Sequence, residues 1–178
     1  MQEVILVNEL DEEIGSMEKM EAHEKALLHR AFSVFLFNRN GNMLLQKRAA
    51  TKYHSPSLWT NACCSHPMPG ETTKQAALRR LQEELGITAT ITKAFHFTYK
   101  AEFDNGLTEH EFDHVFVGEF DDELFLNKEE VSDTCYKSMN EIKNEIEHNA
   151  GMYTAWFKIA LPLLEDWLLQ NKIKHAQA

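Results

Sequence analysis

The segment SHPMPGETTKQAALRRLQEELGI, residues 65–87, decides which fold this chain can adopt. It predicts a helix over residues 71–85, because opposite charges recur at the four-residue spacing that lets them pair, as in Arg79/Glu83 and Arg80/Glu84. Gly86 follows, and glycine is the residue that most readily ends a helix in the left-handed conformation. Carboxylates on one helix can hold Mg²⁺, which can bridge diphosphate oxygens. A helix whose charges serve only solvation and salt bridges is the alternative interpretation.

A thiol and an imidazole stand close together just before this helix. Cys64 precedes His66 by two residues in WTNACCSHP, residues 59–67, which is predicted to be a short turn-forming segment. Cysteine can act as a nucleophile or as an acid/base group, and histidine is a frequent metal ligand. Few functions need such a thiol, a metal-type histidine and a phosphate-type acidic helix together.

Length and composition describe one ordinary globular protein. The 178 residues are expected to form a single domain over 1–178, with its core at about 23–165. Hydrophobic residues make up 43% of the chain and charged residues 26%, which excludes a disordered protein. Apolar runs such as residues 34–37 are too short to span a bilayer, and the acidic N-terminus lacks the basic start of a signal peptide.

Cysteine content and charge narrow the compartment and the partners. Three cysteines, two of them adjacent, make a poor disulfide framework and favour the reducing cytoplasm. The formal net charge of -10 argues against nucleic acid or an anionic membrane as a partner. An anionic small-molecule substrate would need a local basic cluster and a divalent cation to hold it.

Hydrophobic periodicity places the helix among strands. Strands are predicted at residues 31–37, 43–47, 90–100 and 109–120, and further helices at about 138–148 and 156–173. Glu109 and Glu111 are two residues apart, so a strand presents both carboxylates on the same face. Strands that frame one central helix, with helices behind them, predict an α/β or α+β sandwich.

The spacing of the acidic helix also matches a family pattern, the Nudix box. That pattern is glycine, five residues, glutamate, seven residues, then Arg-Glu-apolar-x-Glu-Glu-x-Gly-apolar. Here Ser65 replaces the first glycine, and Arg80 replaces the glutamate of the Arg-Glu pair. With Thr-Asn-x-Cys-Cys-Ser-His-Pro and Glu-x-Glu, the chain resembles the type I isopentenyl-diphosphate isomerases, non-hydrolytic relatives of the Nudix hydrolases. The resemblance extends from about His23 to Trp156. It implies a Nudix-like α/β/α sandwich with a mixed sheet and a central acidic helix.

The resemblance also implies a metal site. Its ligands would be three histidines and two glutamates, His23, His29, His66, Glu109 and Glu111. Such a mixed N/O site, open to a sixth ligand, is typical of bound Mn²⁺, Zn²⁺ or Mg²⁺. It is unlike a structural zinc site, which is closed by four ligands and normally uses cysteine. Because His23 and His29 are six residues apart, their convergence needs a bend in the chain. The remaining histidines are interpreted as solvated or core residues: His54, His96, His110, His114, His148 and His175.

The implied reaction adds a proton to one carbon of a homoallylic diphosphate and removes another proton two bonds away. It needs two acid/base groups on opposite faces of the substrate, and Cys64 and Glu111 match the family's pair. Tyr99 matches the tyrosine that hydrogen-bonds this carboxylate. Glu111 with Tyr99 is predicted to protonate the substrate, and Cys64 to remove a proton as thiolate. Trp156 would stabilise the carbocation with its indole face.

The substrate's diphosphate would be held by a local basic cluster. Arg48, Lys52 and Arg80 match the family's anchors, and Glu84 would share the Mg²⁺ that the substrate carries.

The function implied is a flavin-independent isomerase of isoprenoid biosynthesis that interconverts isopentenyl diphosphate and dimethylallyl diphosphate. It would act in the cytoplasm as a monomer or weak homodimer. A Nudix hydrolase acting on a nucleoside diphosphate derivative, and a non-catalytic ligand-binding domain, are the alternatives.

Overall fold

The computed structural model describes residues 2–176, with side chains described as far as residue 171, so the side chain of His175 lies outside the described part. The described strands are β1 (Glu3–Val7), β2 (Glu13–Glu18), β3 (His29–Phe37), β4 (Met43–Arg48), β5 (Trp59–Thr60), β6 (Cys63–Ser65), β7 (Ile91–Glu102), β8 (Thr108–Glu119) and β9 (Val131–Lys137). The helices are α1 (Lys19–Glu24), α2 (Thr73–Leu85), α3 (Met139–Asn149) and α4 (Ala155–Ala176), with a 3₁₀ turn at Ala150–Met152. No helix within residues 2–176 is long and apolar enough to cross a membrane.

The strands form one mixed sheet in which β3 is central. β8 runs parallel to β3 along its whole length, from the pair His29/Glu111 to the pair Phe37/Glu119. β6 lies antiparallel to β3 and places Cys64 opposite Ser33. β7 pairs with β8, β4 pairs with both β5 and β9, and β1 joins β3 through a single bridge. Strands β6 and β8 both pair with β3, and they therefore bring Cys64 and Glu111 to the same region of the sheet.

Alternate side chains of β3 pack into two separate cores, and a third, smaller cluster contains Ile5, Val7 and Phe112. Phe32, Val34 and Leu36 of β3 face α2, where they join Leu81 and Leu85. Phe35 points the other way, into the core that α4 completes. The sheet thus lies between helices on both faces, because successive residues of a strand point to opposite sides. The predicted α/β/α sandwich with a mixed sheet and a central acidic helix is confirmed.

Helix α2 begins two residues later than the sequence suggested. Thr72 caps it: its hydroxyl accepts from the backbone N–H of Gln75, whose side chain in turn accepts from the backbone N–H of Thr72. At the other end Gly86 adopts the predicted left-handed conformation, with φ of 66°. The predicted ion pairs also form, with 3.3 Å between Arg79 and Glu83 and 2.7 Å between Arg80 and Glu84.

The segment at residues 59–67 contains the two short strands β5 and β6, and residues 61–62 form a bend between them. The side chain of Asn61 fixes this bend, because its amide donates to the carbonyls of Val34 (3.0 Å) and Cys63 (2.9 Å). These bonds tie the connection between the two short strands to β3. Cys64 consequently sits on a strand held against the centre of the sheet.

Candidate active site

One cavity gathers most of the predicted site residues. Of these, the ones that line it are Arg48, Lys52, Cys64, His66, Arg80, Glu84, Tyr99, Glu109, Glu111 and Trp156. The two other predicted residues, His23 and His29, are fully buried and lie next to His66 behind the lining. The fold therefore brings together the residues that were predicted from the sequence. They come from α1, β3, β4, β6, α2, β7, β8 and α4 and the segments next to them.

Three histidines and Glu111 form a compact group. One ligand atom from each of His23, His29, His66 and Glu111 lies within 4.8 Å of all the others. The Nε2 of His66 is 2.8 Å from Glu111 Oε1 and 3.2 Å from the Nε2 of His29. The bend that His23 and His29 require is present, because Ala26 between them has a left-handed φ of 53°. All four side chains are buried, so the group is built into the protein interior.

The orientation of the rings suits a cation. The Nδ1 atoms of His23 and His29 lie 2.7 Å and 2.8 Å from the carbonyls of Lys19 and Leu27, which can only accept, so each Nδ1 carries the proton. Each Nε2 then keeps a free lone pair, and the buried Nε2 of His23 has no hydrogen-bond partner among the described residues. Burial lowers the pKa of His23 and lowers the pKa of His66 to about 3, so both rings are neutral, as a metal ligand must be.

Glu109 belongs to a second group that includes a residue the sequence interpretation set aside. His54 Nε2 is 3.2 Å from Glu109 Oε1, and these two residues with His23 form another set that can hold a metal ion. Both His54 and Glu109 are buried. The sequence interpretation gave His54 no role, and the fold places it in the cavity beside Glu109. Among the histidines whose side chains the structure describes, His96, His110, His114 and His148 do not line the cavity.

Tyr99 connects the two carboxylates. Its hydroxyl lies 2.6 Å from Glu111 Oε2 and 3.0 Å from Glu109 Oε2, and its single proton can serve only one of them at a time. Burial and the neighbouring charge of Glu111 raise the pKa of Glu109. Burial alone would also raise the pKa of Glu111, but the interaction with His66 outweighs it and lowers that pKa. The pKa values of the two carboxyl groups are thus shifted in opposite directions.

The sulfur of Cys64 has three hydrogen-bonding partners, of which the Thr60 hydroxyl, at 3.8 Å, is the most distant. Its thiol donates to Asn61 Oδ1 at 2.8 Å, and the indole N–H of Trp156 donates to the sulfur at 3.0 Å. Burial and the nearby carboxyl group of Asp113 raise the pKa of Cys64 to about 12. Such a pKa favours the thiol at neutral pH, whereas the proton-removal step predicted from the sequence uses the thiolate. Cys63 points into the core that α2 covers.

Basic side chains collect at one end of the cavity. Arg80 contacts Glu84 at 2.7 Å and Glu130 at 3.2 Å, and Lys52 also pairs with Glu130. Arg48 lies with its guanidinium 5.2 Å from the centre of the Trp156 ring. Lys19 is a further lining cation, and burial lowers its pKa to about 8.

Several lining residues were absent from the sequence interpretation, and two of them had a detectable signal. Lys19 precedes His23 by four residues, so both share one side of α1. Gln46 precedes Arg48 by two residues on β4 and therefore shares its face; its amide donates to Glu84 at 2.8 Å. Tyr53 and His54 lie on the loop after β4, where no periodicity indicates which way a side chain points.

Comparison with known proteins agrees with this arrangement. The NUDIX domain model matches residues 27–157. Among solved structures, DR0079 from Deinococcus radiodurans superposes with a TM-score of 0.70 at 21% identity, covering 83% of this chain and 90% of that one. The fold and the acidic helix thus define a Nudix-domain protein.

Two relatives identify the branch of that class. The isopentenyl-diphosphate Delta-isomerase of Pectobacterium atrosepticum is 48% identical over 93% of this chain and 92% of its own length. The isopentenyl-diphosphate Delta-isomerase 2 of Photorhabdus laumondii is 46% identical over 92% of this chain and 96% of its own length. The chain belongs to the isopentenyl-diphosphate Delta-isomerase family, as its sequence motifs predicted.

Proposed function

We propose that this protein interconverts isopentenyl diphosphate and dimethylallyl diphosphate and so serves isoprenoid biosynthesis. The names of its relatives support this activity. The observation that carries the proposal is the meeting of Cys64 and the Tyr99–Glu111 pair in one cavity that also contains a basic cluster. An isomerisation by proton transfer needs two such acid/base groups and an anchor for the diphosphate.

The two acid/base groups act in turn. Glu111, assisted by Tyr99, adds a proton to the terminal carbon of the double bond, which leaves a tertiary cation. Cys64 removes a proton from the carbon two bonds away, and the new double bond forms. The indole of Trp156, held beside the sulfur, contributes the electron-rich face that stabilises the cation.

The resting protonation states bear on the direction of turnover. A thiol at Cys64 and a carboxylate at Glu111 are the forms left after conversion of the isopentenyl compound to the dimethylallyl compound. A proton therefore has to return from the sulfur to the carboxylate before the next forward turnover. In the reverse direction Cys64 is already the donor and Glu111 the acceptor.

Arg48, Lys52 and Arg80 would bind the diphosphate, and Lys19 is a fourth cation close to them. Glu84 would share a Mg²⁺ ion with the phosphate oxygens. Because Arg80 contacts Glu84 and Glu130, a bound diphosphate and its cation would take over these contacts.

The histidine and glutamate groups would hold a second cation, for which Mn²⁺, Zn²⁺ and Mg²⁺ are the candidates. His23, His29, His66, Glu111 and Glu109 are its proposed ligands, and neutral imidazoles with buried carboxylates suit it chemically. When bound, the ion supplies positive charge that stabilises ionised Glu111. The proposed molecule is a single domain over 1–178 with its core at about 23–165, acting as a monomer or weak homodimer in the cytoplasm.

A hydrolase of the same fold is the competing activity. Such an enzyme needs free carboxylates on the acidic helix to activate water. Here both oxygens of Glu71 accept from Arg79 at 2.8 Å, and Glu83 pairs with Arg79 and Arg80. These pairs occupy the carboxylates of Glu71, just before the helix, and of Glu83, on the helix.

Proton NMR of isopentenyl diphosphate with this protein, Mg²⁺ and Mn²⁺ in D₂O tests the proposal. Formation of dimethylallyl diphosphate that contains solvent deuterium, without release of phosphate, is the expected result. An unchanged substrate under reducing conditions, or phosphate release without isomerisation, would refute the isomerase assignment.

A further inference from the structure

Two sets of potential metal ligands overlap in a single residue. His23 belongs to the group with His29, His66 and Glu111, and also to the group with His54 and Glu109. Within each group every ligand atom lies within 4.8 Å of the others. The Nδ1 of His23 is engaged with the Lys19 carbonyl and its buried Nε2 has no partner among the described residues, so Nε2 is the atom that His23 can offer to either group.

One imidazole nitrogen has one lone pair and can bind only one ion. Since His23 Nε2 is the shared atom, the two groups cannot each hold an ion through it. A single cation between the two groups would instead be coordinated by the ligands of both. Small movements of side chains would bring all of the ligands to it, because the two groups are already contiguous through Tyr99, which hydrogen-bonds Glu109 and Glu111.

We propose that His54 is a sixth ligand of this one cation, in addition to the five residues predicted from the sequence. The inference rests on the proposed metal-dependent function and deepens it. Six ligands complete the octahedral shell that Mn²⁺ and Mg²⁺ prefer. A complete shell has no position for water, whereas metal-assisted hydrolysis requires an open one. His54 would thus keep the ion in an electrostatic role and exclude a metal-bound nucleophile.

The surroundings of His54 hold its ring in a fixed direction. The ring stacks on Phe103 with centroids 5.0 Å apart and planes inclined by 15°, and it meets the Trp156 ring edge-on at 5.7 Å. Its backbone carbonyl accepts from Arg48 at 3.1 Å. The next residue, Ser55, has a left-handed φ of 47°, which is unusual for a residue other than glycine. The ring nitrogen is therefore aimed at Glu109 by packing on several sides.

Water-proton relaxation with Mn²⁺ as the probe distinguishes a ligand from a hydrogen-bond partner. Metal-free full-length protein is titrated with Mn²⁺, free Mn²⁺ is measured by EPR, and the relaxation rate of water protons reports water bound directly to the ion. Wild-type protein is expected to show almost no directly bound water. His54→Ala is expected to gain one exchangeable water molecule and so to raise the relaxation rate several-fold.

Two further variants test the alternatives. His54→Phe keeps the packing on Phe103 and Trp156 but lacks a ligand nitrogen, and its Mn²⁺ affinity is expected to fall by about 10- to 100-fold. His148→Ala, an exposed histidine on α3, is the control and should match the wild type.

Three results would overturn the inference: equal relaxation in wild type and His54→Ala, unchanged affinity in His54→Phe, or no Mn²⁺ binding by the wild type. The isomerase assay is independent of these measurements. A wild type that isomerises the substrate but gives one of these three results would refute only the role of His54. A wild type with the expected relaxation but no isomerisation would refute only the proposed function.

Discussion

The indole N–H of Trp156 donates a hydrogen bond to the sulfur of Cys64 over 3.0 Å. The bond joins α4 to β6, so the position of the thiol depends on how the last helix packs against the sheet. The same indole lies 5.2 Å from the guanidinium of Arg48, which links the thiol to the basic end of the cavity. The residues proposed for catalysis and for substrate binding thus meet at Trp156.

Cys64→Ala should abolish most of the isomerase activity while leaving the fold intact. Loss of an acid/base group costs about 10²- to 10⁴-fold in rate, and Cys64 touches no more than the edge of the core. Steady-state kinetics and thermal unfolding measure the two effects. Cys63→Ala is the matched control. The thiol of Cys63 is buried in the core that α2 covers, so this variant should lose stability but retain activity. A comparable loss of activity in Cys63→Ala would mean that the adjacent thiol is the catalytic one.

Arg80→Ala should raise KM for the diphosphate substrate. A hydrogen bond to a charged group contributes about 1.5–3 kcal/mol, so the rise should be about 10- to 100-fold. Arg79 is the control on the same helix, because it pairs with Glu71 and Glu83 and does not line the cavity. Kinetics in which Arg79→Ala weakens substrate binding as much as Arg80→Ala would contradict the assignment of Arg80 as an anchor.

Gly86→Ala should destabilise the protein by about 2 kcal/mol or more. The residue has a left-handed φ of 66°, and an added Cβ would lie 2.6 Å from Phe125 Cβ. Gly41 also has a positive φ, of 76°, but a Cβ there would meet nothing within 4 Å. Gly41→Ala should therefore cost only about 1 kcal/mol. Urea unfolding of both variants measures the difference, and equal losses would show that the contact with Phe125 is unimportant.

His54→Phe should make the metal-free protein more tolerant of acid relative to the wild type. Burial lowers the pKa of His54 to about 2, while an unfolded histidine titrates near about 6.5. Between these values the unfolded chain binds a proton that the folded protein does not, so His54 lowers stability as the pH falls. The slope is at most about 1.4 kcal/mol per pH unit. In urea unfolding, the free energy of unfolding of the variant should rise relative to that of the wild type as the pH falls from 6.5 to 4.5. A difference in unfolding free energy that does not change with pH would contradict the prediction.

The sequence was sufficient where the determining interactions are local. Helix α2 could be predicted because its ion pairs span four residues and its end needs one glycine. Strand β8 could be predicted from alternation, and with it the common face of Glu109 and Glu111. Strand β2 was not predicted, because its residues are mostly exposed and its pairing with β1 holds it in place.

The sequence by itself determined the family, the acidic helix and the residue types of the site. Only the tertiary structure decided that His54 faces Glu109, that Lys19 enters the cavity and that Trp156 binds the sulfur of Cys64. Each of these contacts joins residues far apart in the chain, or lies on a loop without periodicity. Their geometry depends on strand register and on the packing of α1 and α4 against the sheet, which no local spacing encodes.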